Sequence, residues 1–478
     1  MALANRARNG WFVIASGLAA CGDAPAIVDP VIDVPVDDVE ATATPLDEIT
    51  LTVAHAGSER DLVAQTFARG ERIELAGVPF GDDLVMHMSG FIGASIIAYG
   101  RTCAFAVTPA GTPPTPHLFF SRSVRFAGLD AAPVPRVGGF GIPYFGTGLL
   151  VGGDDASGAP VSVVERYDPL TAKLTVLGSV TARDGAVQAM VGTDPPRVVV
   201  LGGAISGVGA TFVEVIDERG IDLFDGPELA RTDSTATALT DGRVVVVGGT
   251  VPGSLQPSGE IDMIAEDGAS LDISKLDGPL TTPRAGHTAT RLGDDVGAPV
   301  LIVGGLDAAG APIALAELFK PLSGAILATF TATMSVPRHG HAAALMPDGS
   351  VLIIGGLDAA GMPVRRLELF SVDGGFIDAG DLPAEAGVIE IAATTLPDGR
   401  ILLTGGRTAP DQPPVSSAYI ARLDPHDGQV DVVATDHMHT ARAAHQAVAL
   451  CDGTVLISGG AEGSVPAERY NPPALGRR

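Results

Sequence analysis

The chain has 478 residues, too many for one ordinary hydrophobic core, so two domains or a repeat array are expected. It carries 30 Lys and Arg against 56 Asp and Glu, a net charge of −26, which disfavours nucleic acid and anionic lipid surfaces because both repel it. With 61 Gly and 36 Pro punctuating short apolar runs, it reads as an all-β chain.

The first element is a targeting segment. Arg6 and Arg8 precede the apolar run 11–15, and the stretch ends Leu18-Ala19-Ala20-Cys21. A basic start, a short apolar core and small residues before the cut describe a secretory signal. Leu-Ala-Ala-Cys resembles the lipobox of bacterial lipoproteins. That resemblance implies an acylated Cys21 as the first mature residue of an exported protein. It would sit at the cell envelope, on the outer membrane or cell surface, touching membrane only through its lipid. A non-lipidated signal, or a cytosolic chain with an apolar start, are the alternatives. The run is far shorter than the ~20 apolar residues a spanning helix needs.

Residues 22–48 are rich in Pro, Asp and Val, with no Lys or Arg before Arg60, which predicts an extended acidic tether. In 49–117 the runs 49–53, 61–67, 72–75, 84–88 and 94–98 alternate or are apolar between Gly and Pro turns, which predicts a small β-sandwich-like module. Its stretch 77–85 resembles carboxypeptidase-regulatory-like sandwich modules. Cys103 and Cys451 could pair in an exported protein, but they lie far apart in a chain with no visible disulfide framework, and the favoured reading is that both are free and buried.

From 118 to 478 the chain repeats. Seven diglycines end apolar runs: Gly152-Gly153, Gly202-Gly203, Gly248-Gly249, Gly304-Gly305, Gly355-Gly356, Gly405-Gly406 and Gly459-Gly460, spaced 46 to 56 residues apart. Two copies share nearly the same wording, VGGLDAAGAP at 303–312 and IGGLDAAGMP at 354–363. Six copies open near an Arg, and each copy passes a first strand. Four then turn at Asp-Gly (241–242, 348–349, 398–399, 452–453) before the apolar run. A third strand often ends in an aromatic residue and Pro, as at 165–169, 317–321 and 468–472. The period and wording resemble Kelch repeats, which implies a seven-bladed Kelch-type β-propeller over 118–478. The seventh copy lacks a fourth strand, while 118–132 reads as a spare one. That N-terminal strand is expected to complete the last blade and leave no open edge.

The copies also align their polar residues. Arg136, Arg183, Arg231, Arg284, Arg338 and Arg442 open six of them, and Glu165, Glu214, Glu260, Glu317, Glu368 and Glu468 stand before or near the end of the third strand in the same six. The sixth copy lacks both, with Val388 and Ile391 where Arg and His would be. Joint loss predicts a structural ion pair within each repeat, since a lone buried charge is costly. The functional alternative is a ring of charged ligand contacts. His339/His341 and His437/His439 have the i, i+2 spacing of strand metal ligands. However, His341 shares its slot with His287 and His445, which favours packing, and His87 sits in plain strand alternation. Asp154, Asp155, Asp307 and Asp358 read as solvated turn residues, because no loop gathers the oxygens Ca²⁺ takes. No metal and no cofactor are expected.

Catalytic motifs are not found. The Kelch-fold copper-radical oxidases need a Cys-modified Tyr, which Tyr144, Tyr167, Tyr419, Tyr470 and Cys451 do not supply. Sialic-acid-epimerising Kelch proteins match by compartment but not by residue. Neither a nucleophile elbow nor a phosphate loop occurs. The only Trp, Trp11, lies in the signal, and Leu223-Phe224 replaces the Kelch fourth-strand Trp, so no aromatic sugar platform is expected. The chain reads as a non-enzymatic, membrane-tethered binding or scaffold protein whose loops meet a protein partner. The alternative is a periplasmic or surface enzyme acting on a sugar or sugar acid in the channel.

Overall fold

The computed structural model describes residues 26–35 and 45–472, apart from short stretches at 59, 110–111, 113, 130–131, 227–228, 255, 328–331, 425–427 and 462–464. Cys21 and the segment before it lie outside the described residues. The described chain is all-β, without an α-helix, and is built as many small, almost entirely antiparallel sheets.

The N-terminal module is a sheet in the order Ser121–Arg122, Ser95–Arg101, Gly81–Ile92, Glu48–His55, Asp61–Ala68, with Phe105–Val107 added alongside Gly81–Ile92. Alternation puts Ile49, Leu51 and Val53 on one face with Leu84, Met86 and Met88, and these fill the module core. Two departures from expectation follow from pairing between distant segments. Part of the stretch read as a tether is built into the module: Ala26–Val28 pairs with Leu75–Val78, and Val31–Asp33 pairs in parallel with His117–Phe119. Val28 is fully buried in the module core and Ile32 and Val34 pack on it, which removes apolar surface that a free tether would expose. The module also runs past 117, since Leu118 and Phe120 belong to its core and Ser121–Arg122 to its sheet.

The expectation of free cysteines is corrected. Cys103 and Cys451 form a disulfide across 348 residues of sequence, with Cα atoms 5.0 Å apart, a separation that suits the bridge. It ties the module to the end of the repeat region.

The repeat region contains seven sheets of at least four strands, met in chain order. The third is typical: Thr235–Ala238, Val244–Val247, Ile261–Asp267 and Ser270–Lys275. The second strand of each sheet is apolar on both faces, and packing explains why. Val244 and Val246 pack into the cluster shared with the second sheet, whereas Val245 and Val247 pack into the one shared with the fourth. Every adjacent pair of sheets shares such a cluster, and the last, with Leu150 and Tyr167 against Val448 and Leu456, joins the seventh sheet to the first. The seventh sheet takes its fourth strand from the N-terminal side: Arg125–Gly128 pairs with Glu468–Asn471, and Phe126 stands opposite Tyr470. Only residues 125–128 of the stretch 118–132 do this.

The diglycines stitch neighbouring sheets together. The second glycine donates its amide to the carbonyl at the Arg position of the next sheet: Gly203 to Arg231 at 2.7 Å, Gly249 to Arg284 at 2.9 Å, Gly305 to Arg338 at 3.1 Å, Gly356 to Val388 at 2.6 Å, Gly406 to Arg442 at 2.8 Å, and Gly460 to Arg136 at 2.7 Å. At Gly304 and Gly305 φ is +66° and +86°, and an added Cβ would lie 2.6 Å from a backbone oxygen at either position. Only glycine meets both demands.

Candidate functional site

The repeated Arg and Glu residues sit inside the sheets. Arg136 lies 2.5 Å from Glu165, Arg183 2.8 Å from Glu214, Arg284 2.7 Å from Glu317, Arg338 2.6 Å from Glu368 and Arg442 3.1 Å from Glu468. Both members of each pair are buried. Desolvation is offset by further hydrogen bonds at both ends. Arg136, Arg284, Arg338 and Arg442 donate to the carbonyls of Gly152, Gly304, Gly355 and Gly459 at 2.7–3.2 Å. The carboxylates accept the amides of Val134, Thr181, Thr281, Ser335 and His439 at 2.6–3.1 Å. Four of the pairs thus clamp the diglycine and the entry to the first strand, while Arg183 donates instead to the carbonyls of Val200 and Phe212 at 2.9 and 3.1 Å. Burial lowers the pKa of Arg136, Arg183, Arg284 and Arg338, and their carboxylate partners oppose that shift.

The third and sixth sheets differ. Arg231 pairs with Glu260 at 2.7 Å and also with Asp262. Asp262 stands opposite Val246, as Glu317 stands opposite Ile302, so it holds the common slot, while Glu260 is partly exposed and also meets Lys275. Aligning the copies by strand register rather than by residue type would have found it. Burial raises the Asp262 carboxyl, and Arg231 opposes that rise. In the sixth sheet, Tyr419 stands opposite Leu403 in the carboxylate slot, and Val388 fills the Arg position in the apolar cluster shared with the fifth sheet. Burial is the first cause holding the Tyr419 hydroxyl above its ordinary value, followed by Glu385.

The repeat histidines are sheet-to-sheet contacts. His287 Nε2 lies 3.0 Å from Thr235 Oγ1 and His341 Nε2 lies 2.9 Å from Thr288 Oγ1, each on the preceding sheet. The sixth sheet has Ala392 where that Thr would be, and His445 turns instead to Thr404 at 2.8 Å. Burial, with the neighbouring Arg, lowers all three to about 3, so they stay neutral. His87 lies 2.6 Å from the Tyr99 hydroxyl in the module. Asp155, Asp307 and Asp358 each accept two backbone amides of their own loops. Among the described residues, no three His, Cys, Asp or Glu are grouped to hold a metal ion.

One arrangement was not read from the sequence. The residue two past each Arg position has a left-handed backbone in all seven copies: Gly138, Gly185, Asp233, Gly286, Gly340, Glu390 and Ala444, with φ between +49° and +70°. These residues bond to one another from sheet to sheet. Asp233 N donates to Gly185 O at 3.3 Å, Gly286 N to Asp233 O at 3.0 Å, Ala444 N to Glu390 O at 3.0 Å and Gly138 N to Ala444 O at 2.7 Å. These bonds link 185, 233 and 286 in one run and 390, 444 and 138 in another, two arcs of a girdle at one end of the sheets. Glycine at four of the seven was the available signal. Asp233, Glu390 and Ala444 depart from it, and the first two carry exposed carboxylates there. Glu390 lies 2.9 Å from Arg407. On the first two sheets of the same end, burial and then Asp184 and Asp155 hold the Asp154 carboxyl above the ordinary carboxylate range.

No family model and no curated protein matches the chain. Among solved structures it is similar to one titled "Structure of YjhT", at 14% identity and a TM-score of 0.45, over 71% of this chain and 95% of that one. A likeness of this extent bears on neither ligand nor activity.

Proposed function

We propose that this chain is an exported, lipid-anchored binding protein: a seven-bladed Kelch-type propeller that presents its girdled end to a protein partner carrying a cationic segment. The propeller reading is supported by the seven inter-sheet clusters and by the Gly460–Arg136 hydrogen bond between the last sheet and the first. Export is supported by the Cys103–Cys451 disulfide, a bond that persists in oxidising compartments.

The observation that carries the binding reading is the placement of Asp233 and Glu390. Both hold left-handed backbone where the other copies mostly use glycine, and local strain of this kind is retained where side chains have work to do. Asp154 and Asp184 add negative charge at the same end, which suits a cationic partner. The Arg and His residues inside the sheets are architecture in this reading.

The test is crosslinking of the lipidated protein in its own membranes, followed by recovery with wild type and with Asp233→Asn/Glu390→Gln. A stoichiometric partner that wild type retains at low salt, and that the double variant loses, supports the reading. Turnover of a sugar or sugar acid bound in the channel would overturn it. The mass of the mature N-terminus tests the anchor: an acylated Cys21 is expected, and an intact Met1 refutes export.

A further inference from the structure

The two ends of the array of sheets meet at one junction, and the N-terminal module is part of it. The closing strand Arg125–Gly128 is four residues long and begins three residues after the module strand Ser121–Arg122 ends. Its partner strand reaches back into the module. Asn471 Nδ2 donates to the carbonyls of Tyr99 and Ser121 at 2.8 and 3.0 Å and to Ser121 Oγ at 3.0 Å, while Val124 N donates to Asn471 O at 2.8 Å. Arg469, fully buried, lies over the ring of Phe119 at 4.1 Å and pairs with Asp452. Cys451, next to Asp452, carries the bond to Cys103 of the module. Closure of the seventh sheet and docking of the module therefore share the same strand and turn.

We propose that Cys103–Cys451 is a redox latch on this junction. When a dithiol reductant opens it, the module loosens from the seventh sheet and the closing strand 125–128 is released. Cys451 is the partly exposed partner, whereas Cys103 is 4% exposed, so the incoming thiolate attacks the sulfur of Cys451. The S–S bond breaks, and its electron pair leaves on the sulfur of Cys103, which takes up a proton. The second thiolate of the reductant then displaces Cys451 from the mixed disulfide. The reductant ends as its own disulfide, and the protein has gained two electrons and two protons. Loss of Phe119 and Ser121 leaves Arg469 and Asn471 to water, which solvates them readily, and the apolar surface uncovered by the released strand is that of Phe126 against Tyr470. The freed edge of Glu468–Asn471 can then take the closing strand of a second copy.

The experiment is amide exchange on the oxidised full chain, before and after dithiothreitol without denaturant, with the two thiols counted by mass. After reduction, amides of 125–128 and 468–471 should exchange at least roughly tenfold faster while the second strands of the first five sheets keep their protection, and reoxidation should restore the first state. Cys103→Ser/Cys451→Ser should behave like the reduced chain. If that variant does not fold, the reduced wild type still decides. A bridge that dithiothreitol leaves intact, or unchanged exchange at 125–128 after full reduction, overturns the latch.

Discussion

The amide of Gly460 donates to the carbonyl of Arg136 at 2.7 Å, the same contact that joins neighbouring sheets inside the array, here made between its last sheet and its first. Gly460 has φ +68°, and an added Cβ would lie 2.5 Å from the carbonyl oxygen of Ala443 and 2.6 Å from the His445 side chain. Gly310 has φ +73° in an exposed turn with no atom within 4 Å of such a Cβ. Both Gly→Ala changes carry the left-handed backbone penalty of ~1–2 kcal/mol, but only Gly460→Ala adds a collision, with the Ala443 backbone of its own sheet beside the seam. Urea denaturation should rank Gly460→Ala as the more costly by at least about 1 kcal/mol. Equal effects would mean that the backbone at Ala443, beside the seam, gives way freely.

The buried pair Arg338–Glu368 supports a double-mutant cycle. Glu368→Ala leaves a buried guanidinium without its carboxylate and should cost ~3–5 kcal/mol, and Arg338→Val should cost a similar amount. The sixth sheet already holds Val388 and Tyr419 in these two slots. Arg338→Val/Glu368→Tyr should therefore cost clearly less than the two single changes added together, with a coupling of about 1–3 kcal/mol. Strict additivity in denaturant midpoints would show that the two side chains do not depend on each other.

Acid sensitivity should come from His287, His341 and His445. Their folded values are about 3 against an ordinary 6.5, so above pH 6.5 both folded and unfolded states hold them neutral and they contribute no pH dependence. Between pH 6.5 and 3 the unfolded chain binds more protons, so stability falls as pH falls through that window. At pH 5 each should cost about 2 kcal/mol relative to pH 7. His341→Gln should be less stable than wild type at pH 7 yet lose less between pH 7 and pH 5, read from urea midpoints at the two values. An unchanged slope would show that His341 is not buried neutral.

The parts of this architecture visible in the sequence are those imposed by backbone geometry in every copy. Diglycines must be glycine when both positions have φ > 0, so they recur, and the apolar runs before them recur because both faces are covered. The Cys103–Cys451 bond is invisible for the opposite reason, since its partners are 348 residues apart and nothing local ties them. The strands Ala26–Val28 and Val31–Asp33 were hidden likewise, because their partners lie at 75–78 and 117–119. Asp262 was missed because Glu260, two residues earlier, satisfied the residue-type alignment, whereas the strand register assigns the slot to Asp262. At the girdle, Asp233 and Glu390 look like ordinary surface acids until the backbone angle is known.

That angle makes the girdle testable by trading stability against binding. Glu390 has φ +55°, a conformation that costs an ordinary side chain ~1–2 kcal/mol, whereas Asp233, at +53°, belongs to a residue type that tolerates it better. Glycine at 390 relieves the backbone but adds unfolded-chain entropy of ~0.5–1 kcal/mol. It also removes the exposed pair with Arg407, worth no more than about 1 kcal/mol. Glu390→Gly should therefore be neutral to slightly stabilising, and Asp233→Gly neutral to slightly destabilising. Both should weaken capture of the cationic partner from membranes. If Glu390→Gly destabilises the fold by more than about 1 kcal/mol, the carboxylate is a structural member of the girdle, and the case for retaining it as a binding group falls.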